Sequence, residues 1–183
     1  MPDIQIASNI VSLIEHLITE IEGKSYSNDA DDAGGETLYG FSKKYHPEID
    51  FANFTYEDAI KKYFRDYWFQ RGLNKVAEIY FDIAAELFEA GVNIGRSKST
   101  KYFQRLLNVF NKQGELYPDI AEDGNIGEQT IHALLKFYSH RGHEGIVVLL
   151  KSLNHLQGSY YIERAIAREI NEKFVYGWLL KRT

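Results

Sequence analysis

The residue best placed for proton chemistry in this 183-residue chain is Glu22. It closes an apolar stretch in which Ala7, Ile10, Val11, Ile14, Leu17, Ile18 and Ile21 recur at helical spacing, and it stands directly before Gly23. With Ile14 and Ile18 at the centre of the buried face, a 3.6-residue period puts Glu22 one turn further on, at the rim of that face. Partial burial and the negative end of the helix dipole both favour a carboxyl group that keeps its proton. Such a group can protonate the leaving oxygen of a glycosidic bond. Glu15 sits near the same rim but earlier in the helix, and Glu20 points outward. The competing expectation is an ordinary solvated acid at a helix end.

Glycosidic cleavage by this route calls for a second carboxylate, and the next segment supplies Asp29, Asp31 and Asp32. In inverting enzymes the two carboxyl groups stand about 6.5–9.5 Å apart, so that a water fits between base and anomeric carbon. A loop folding back over the helix end can supply that separation. The Thr37 hydroxyl is then a candidate for orienting the water. The plainer account is a solvated acidic turn carrying an ordinary loop threonine.

The elements that must position these groups are mostly helical. An apolar first helix carries Ser8 or Asn9 as N-cap and Gly23 as its stop. From Gly23 to Gly40 the chain is polar, acidic and punctuated by glycine, which predicts a long loop with room for a short hairpin. Thr55-Tyr56-Glu57-Asp58 resembles a capping box and opens an aromatic stripe of Tyr63, Phe64, Tyr67 and Trp68. Such a stripe is more often core than sugar platform. Residues 77–92 predict a central buried helix, broken at Gly91 to Gly95 and resumed from Thr100 to Phe110. A turn-rich loop at Pro118–Gly127 precedes helices at Ile131–Tyr138, Ile146–Leu156 and Tyr160–Leu180.

Composition narrows the function classes. Hydrophobic residues make up 44 % and charged residues 26 %, which is the profile of a packed globular chain. A net charge of −5 argues against a nucleic-acid partner. The absence of cysteine removes disulfides, thiolate metal sites and cysteine nucleophiles together. No apolar run is long enough for membrane insertion, and the N-terminus shows no export signal, which predicts synthesis as a cytoplasmic protein. Neither acidic loop fits a calcium-loop template, and His140-x-x-His143 has no third ligand at a recognisable spacing, so no metal or other cofactor is expected.

A set of ordered motifs then becomes specific. Glu22-Gly23-x-x-Tyr26, followed by Asn28-Asp29-x-x-Asp32-x-Gly34-Gly35-x-Thr37-x-x-Gly40, resembles the signature of glycoside hydrolase family 108. These are lysozyme-like muramidases of phages, prophages and secretion systems. Tyr63-x-x-x-Tyr67-Trp68 resembles the family's Y-W element, and Asn93-x-Gly95 with Gln104 resembles its N-x-G…Q segment. Asp123-Gly124-x-Ile126-Gly127-x-x-Thr130 resembles the D-G-x-I-G-x-x-T loop of the peptidoglycan-binding region that completes such chains, and Gly177-Trp178 its closing G-W. Two departures stand out: Lys24-Ser25 displaces the second glycine of E-G-G-Y, and Ala30 and Ala33 replace prolines.

The resemblance implies a mainly α, lysozyme-like helical fold, with a catalytic region over 1–95 and a helical peptidoglycan-binding region over 96–183 packed on it. It implies an N-acetylmuramidase with Glu22 as catalytic acid, Asp32 as second carboxylate and Thr37 beside them, Asp29 remaining a competitor for the second role. It implies substrate contacts from Tyr26, Asp29, Tyr67, Trp68, Asn93, Gln104 and Asp123. The implied partner is the glycan strand of peptidoglycan, with a holin or a secretion apparatus carrying the protein to the periplasm or beyond. The rival expectations are a lytic transglycosylase, which would leave 1,6-anhydro ends, and a non-catalytic wall-binding module.

Overall fold

The computed structural model describes residues 4–22, 26–27, 35–69 and 72–183. The chain is mainly α, as the sequence predicts, with one two-stranded sheet among the described residues. It divides into two compact units, residues 1–66 and 67–183.

The first unit is built on α1 (Ile4–His16), which continues as a π-helical segment, Leu17–Glu22. Ile10, Ile14, Leu17 and Ile18 are buried, as the apolar period requires. The helix starts five or six residues earlier than its capping signal suggests, so Ser8 and Asn9 lie inside it. A cap preference of roughly 1 kcal/mol is a local tendency that helix packing readily overrides. The π-helical winding is a second departure. With i→i+5 bonding the 3.6-residue spacing, which holds through Ile18, no longer assigns the residues beyond it to a face. Against α1 packs α2 (Tyr56–Tyr63), where burial and the Glu15 carboxylate both push the Tyr56 phenol up. Its predicted capping box is formed: Asp58 N donates to Thr55 Oγ1 at 3.2 Å and Thr55 N to Asp58 Oδ2 at 3.1 Å.

The second unit contains α3 (Leu73–Ala77), α4 (Phe81–Ala90), a π-helical turn at Gly91–Gly95, α5 (Arg96–Val109), α6 (Glu128–Ala167) and α7 (Glu172–Arg182). Ile83, Phe88, Phe103, Leu107, Leu134, Phe137, Ile146 and Leu149 form its core. The single helix expected over 77–92 is two helices, parted at Tyr80 by an extended backbone (φ −158°). In α6 the expected break near residue 142 is a kink at Gly142 (φ 57°, ψ −152°). The break expected between Leu156 and Tyr160 is absent. Gly158 lies inside the helix instead of at a turn, with α7 packed over it: a Cβ added there would meet Leu179 Cδ2 at 3.4 Å, an ordinary van der Waals contact.

One carboxyl group in this unit is held out of water. Glu86 on α4 accepts a hydrogen bond from Asn154 Nδ2 on α6 at 3.2 Å. Burial, reinforced by the neighbouring Glu89 charge, pushes its carboxyl from 4.5 up to about 7. The folded state therefore binds this proton more tightly than the unfolded chain. Its stabilising effect is complete below pH 4.5 and is lost as pH rises through about 7. At 1.36 kcal/mol per pKa unit the loss is about 3 kcal/mol at most. Glu86→Gln keeps an oxygen for Asn154 and cannot ionise. Its urea midpoint should exceed that of the wild type at pH 8 and match it at pH 4; equal midpoints at both pH values would overturn this account.

Candidate active site

The long loop after α1 closes on a β-hairpin. β1 (Thr37–Leu38) pairs antiparallel with β2 (Phe41–Ser42), with Thr37 opposite Ser42. The two turn residues, Tyr39 (φ 51°) and Gly40 (φ 81°), adopt the left-handed conformations that suit the twist of a two-residue hairpin. Glycine takes this conformation freely, whereas Tyr39 must be held in it. The Tyr63 hydroxyl donates to Tyr39 O at 3.1 Å, and the Tyr39 ring packs edge-on against Tyr56, 5.8 Å away. Phe41, fully buried, lies 4.4 Å from Tyr63 and 5.7 Å from Phe54. Tyr56 and Tyr63 of α2, with Phe54 just before it, thus anchor the hairpin, and Tyr63 is core.

A third strand position flanks the hairpin. Ser27 bridges Thr37 with both backbone bonds, Ser27 N to Thr37 O at 2.9 Å and Thr37 N to Ser27 O at 2.8 Å. The bridge fixes the two ends of the segment that carries Asp29 and Asp32, although these two residues lie outside the described ones. Half-buried Thr37 donates its hydroxyl proton to Gly35 O at 3.1 Å. With that proton committed, the oxygen is left as an acceptor, able to receive a proton from a water. Tyr26 is 53 % exposed and donates from its hydroxyl to Glu36 Oε1 at 2.9 Å. Sequence reasoning passed over Glu36. In the register set by Ser27 and Thr37, Tyr26 faces Leu38 and is diagonal to Glu36, a spacing at which cross-strand side chains meet. Glu22 is placed by its backbone alone, as the last residue of the π-helical segment.

The other sequence candidates belong to the second unit. Trp68 is 0 % exposed and lies about 6 Å from the rings of Phe81 and Phe88, so no face of its indole is open to a sugar. Its indole N–H has no hydrogen-bond partner among the described residues. Tyr67 is half-buried, with the Arg96 guanidinium 5.4 Å from its ring centre. Asn93 on the π-helical turn, with its amide turned to suit its neighbours, accepts from the Tyr161 hydroxyl at 2.7 Å and from the Arg182 guanidinium on α7.

Gln104 and Asp123 meet in one network. Gln104 is 1 % exposed, and its Nε2 donates to Asp123 Oδ1 at 2.9 Å, to Asn125 O at 2.9 Å and to Thr130 Oγ1 at 3.2 Å. Its Oε1 accepts from Gly124 N at 2.8 Å, and Asp123 Oδ1 also accepts from Asn125 N at 2.8 Å. The Gln104 amide, followed by the Asn125 N–H, holds the Asp123 carboxyl below its ordinary range. This motif thus ties the Asp-Gly turn onto α5 ahead of α6.

Residues 16–95 match the family model described as Glycosyl hydrolase 108. Residues 98–183 match the model described as Predicted Peptidoglycan domain. A comparison with curated proteins finds no match. The first model takes in Glu22, the hairpin and the Asn93 turn; the second takes in Gln104 and the Asp-Gly turn. Residues 16–95 are thus a glycosyl hydrolase 108 region and residues 98–183 a peptidoglycan domain, which together support a glycoside hydrolase acting on peptidoglycan.

Proposed function

We propose that the protein is an N-acetylmuramidase, hydrolysing the β-1,4 bond between N-acetylmuramic acid and N-acetylglucosamine. The observation that carries this reading is the family match over the stretch that begins just before Glu22 and includes the whole acidic loop and hairpin. In the proposed reaction Glu22 protonates the glycosidic oxygen as the bond to the anomeric carbon breaks. A loop carboxylate, Asp32 with Asp29 as its competitor, draws a proton from water or polarises it. The committed hydroxyl proton of Thr37 supports a role in accepting and aligning that water. Hydrolysis in this scheme is proton transfer and charge stabilisation by carboxyl groups.

Because the wall lies outside the cytoplasm, the reading further proposes delivery through a holin or a dedicated secretion apparatus. No described helix is long and apolar enough to cross a membrane. The test is product analysis on purified sacculi by mass spectrometry. Muropeptides ending in reducing N-acetylmuramic acid are expected. Products ending in 1,6-anhydro sugars would replace the proposal with a transglycosylase, and bound protein without released fragments would replace it with a wall-binding module.

A further inference from the structure

Within the second unit, α6 and the end of α7 flank an open groove of about 550 Å³, lined in part by Val147, Leu150, Lys151, His155, Ile162 and Leu179. Its volume falls in the range of small-ligand clefts, roughly 300–1,000 Å³. The α6 residues are spaced three or four apart and form one continuous stripe. Leu179 and Thr183 pack over Gly158 in the same stripe, which closes one side of the groove. Val147 and Ile162 remain open to solvent, as do Lys151 and His155. Neither Lys151 nor His155 joins an ion pair among the described residues. The groove therefore combines aliphatic walls with two basic side chains that no carboxylate of the described chain engages.

We propose that this groove binds the stem peptide of peptidoglycan, an inference that rests on the wall polymer being the ligand of residues 98–183. The argument is chemical complementarity. In a peptide-bearing strand the amino sugars are neutral and hydroxyl-rich, and they suit aromatic platforms and amide donors; no Phe, Tyr or Trp lines the groove, and the amide of Asn154 there already donates to Glu86 and to Leu150 O. Stem peptides instead offer methyl groups and free carboxylates. Leu150, Ile162, Val147 and Leu179 receive the methyl groups, and Lys151 pairs with a carboxylate to which His155 donates a hydrogen bond. Specificity for the peptide would keep the enzyme on a polymer whose glycan is the part being cut.

Three probes separate the possibilities on the full chain, with binding read from backbone amide shifts and calorimetry. They are a disaccharide–tetrapeptide muropeptide, the free tetrapeptide, and N-acetylglucosamine oligomers, which carry no carboxylate and stand in for the stripped glycan. The muropeptide and the free peptide should both shift amides across residues 147–162, while the stripped glycan leaves them in place. Lys151→Glu, an exposed substitution, should weaken the peptide at least tenfold, and Ile162→Asn, which removes aliphatic wall and adds no charge, should also weaken it. Stripped glycan shifting the same amides, or peptide affinity unchanged in both variants, would overturn the proposal. The outcome is independent of hydrolysis: sacculi cleaved without peptide binding here would sink this inference alone. Peptide binding without released reducing ends would sink the muramidase reading alone.

Discussion

Glu22→Gln should lower the initial rate of sacculus solubilisation by about 10²–10⁴-fold, the span typical of a removed general acid. Glutamine keeps the size and the hydrogen-bonding oxygen of glutamate and loses the transferable proton, so the substitution isolates proton donation from packing. Thermal unfolding of the variant should coincide with that of the wild type, and binding to sacculi should be retained. Both controls matter, because Glu22 ends the helix whose Ile14, Leu17 and Ile18 carry the first unit's core. A variant with more than about a tenth of wild-type activity would remove Glu22 from the reaction. The same assay sorts the loop acids. Asp32→Asn should cost far more than Asp29→Asn if Asp32 serves the water, and the reverse order would transfer the role to Asp29.

The mainly α fold was legible because it rests on apolar periodicity, and Ile10, Ile14, Leu17 and Ile18 are buried as that period requires. The capping box at Thr55 was legible because its residues lie within one turn. What stayed hidden depends on groups distant in sequence. Nothing in the order of residues 23–40 shows that Tyr63, 24 residues away, holds the Tyr39 carbonyl and so stabilises the hairpin turn. The Ser27–Thr37 bridge, which in turn brings Tyr26 to Glu36, is a pairing of registers and leaves no compositional trace. Gln104 stood out within a motif, yet its hold on a turn 19 to 26 residues away became visible only in three dimensions. Glycine misled in one place for a related reason: Gly158 looks like a helix breaker in sequence, while in the fold it lies within α6 where α7 packs over it. The π-helical winding of Leu17–Glu22 had no signal at all, since its residues alternate as any α-helix might.

Gly124→Ala should destabilise the second unit by more than about 3 kcal/mol, whereas Gly127→Ala, three residues on in the same turn, should cost well under 1 kcal/mol. The two glycines differ in both conformation and room. Gly124 has φ 81°, and a Cβ there would collide with Ser97 Oγ and lie 3.0 Å from Ser97 O and 3.3 Å from Ser97 Cα. The serine hydroxyl can rotate away, but the backbone oxygen and Cα belong to α5 and cannot move without dragging the helix. The left-handed conformation adds about 1–2 kcal/mol for a residue with a side chain. Displacing the turn would also pull Gly124 N from Gln104 Oε1 and loosen the Asp123 contact, leaving the buried amide of Gln104 short of partners at about 1–3 kcal/mol per lost group. Gly127, with φ −98° and nothing within 4 Å of an added Cβ, carries neither burden. At roughly 2–4 °C per kcal/mol for a chain of this size, the unfolding midpoints of the two variants should part by at least about 5 °C. If the two alanine variants melt together, Ser97 and Gln104 do not hold the Asp-Gly turn in the way the structure indicates. If Gly124→Ala alone falls and its sacculus binding falls with it while the catalytic rate on soluble glycan oligomers persists, the turn serves the wall-binding half of the enzyme and not its chemistry.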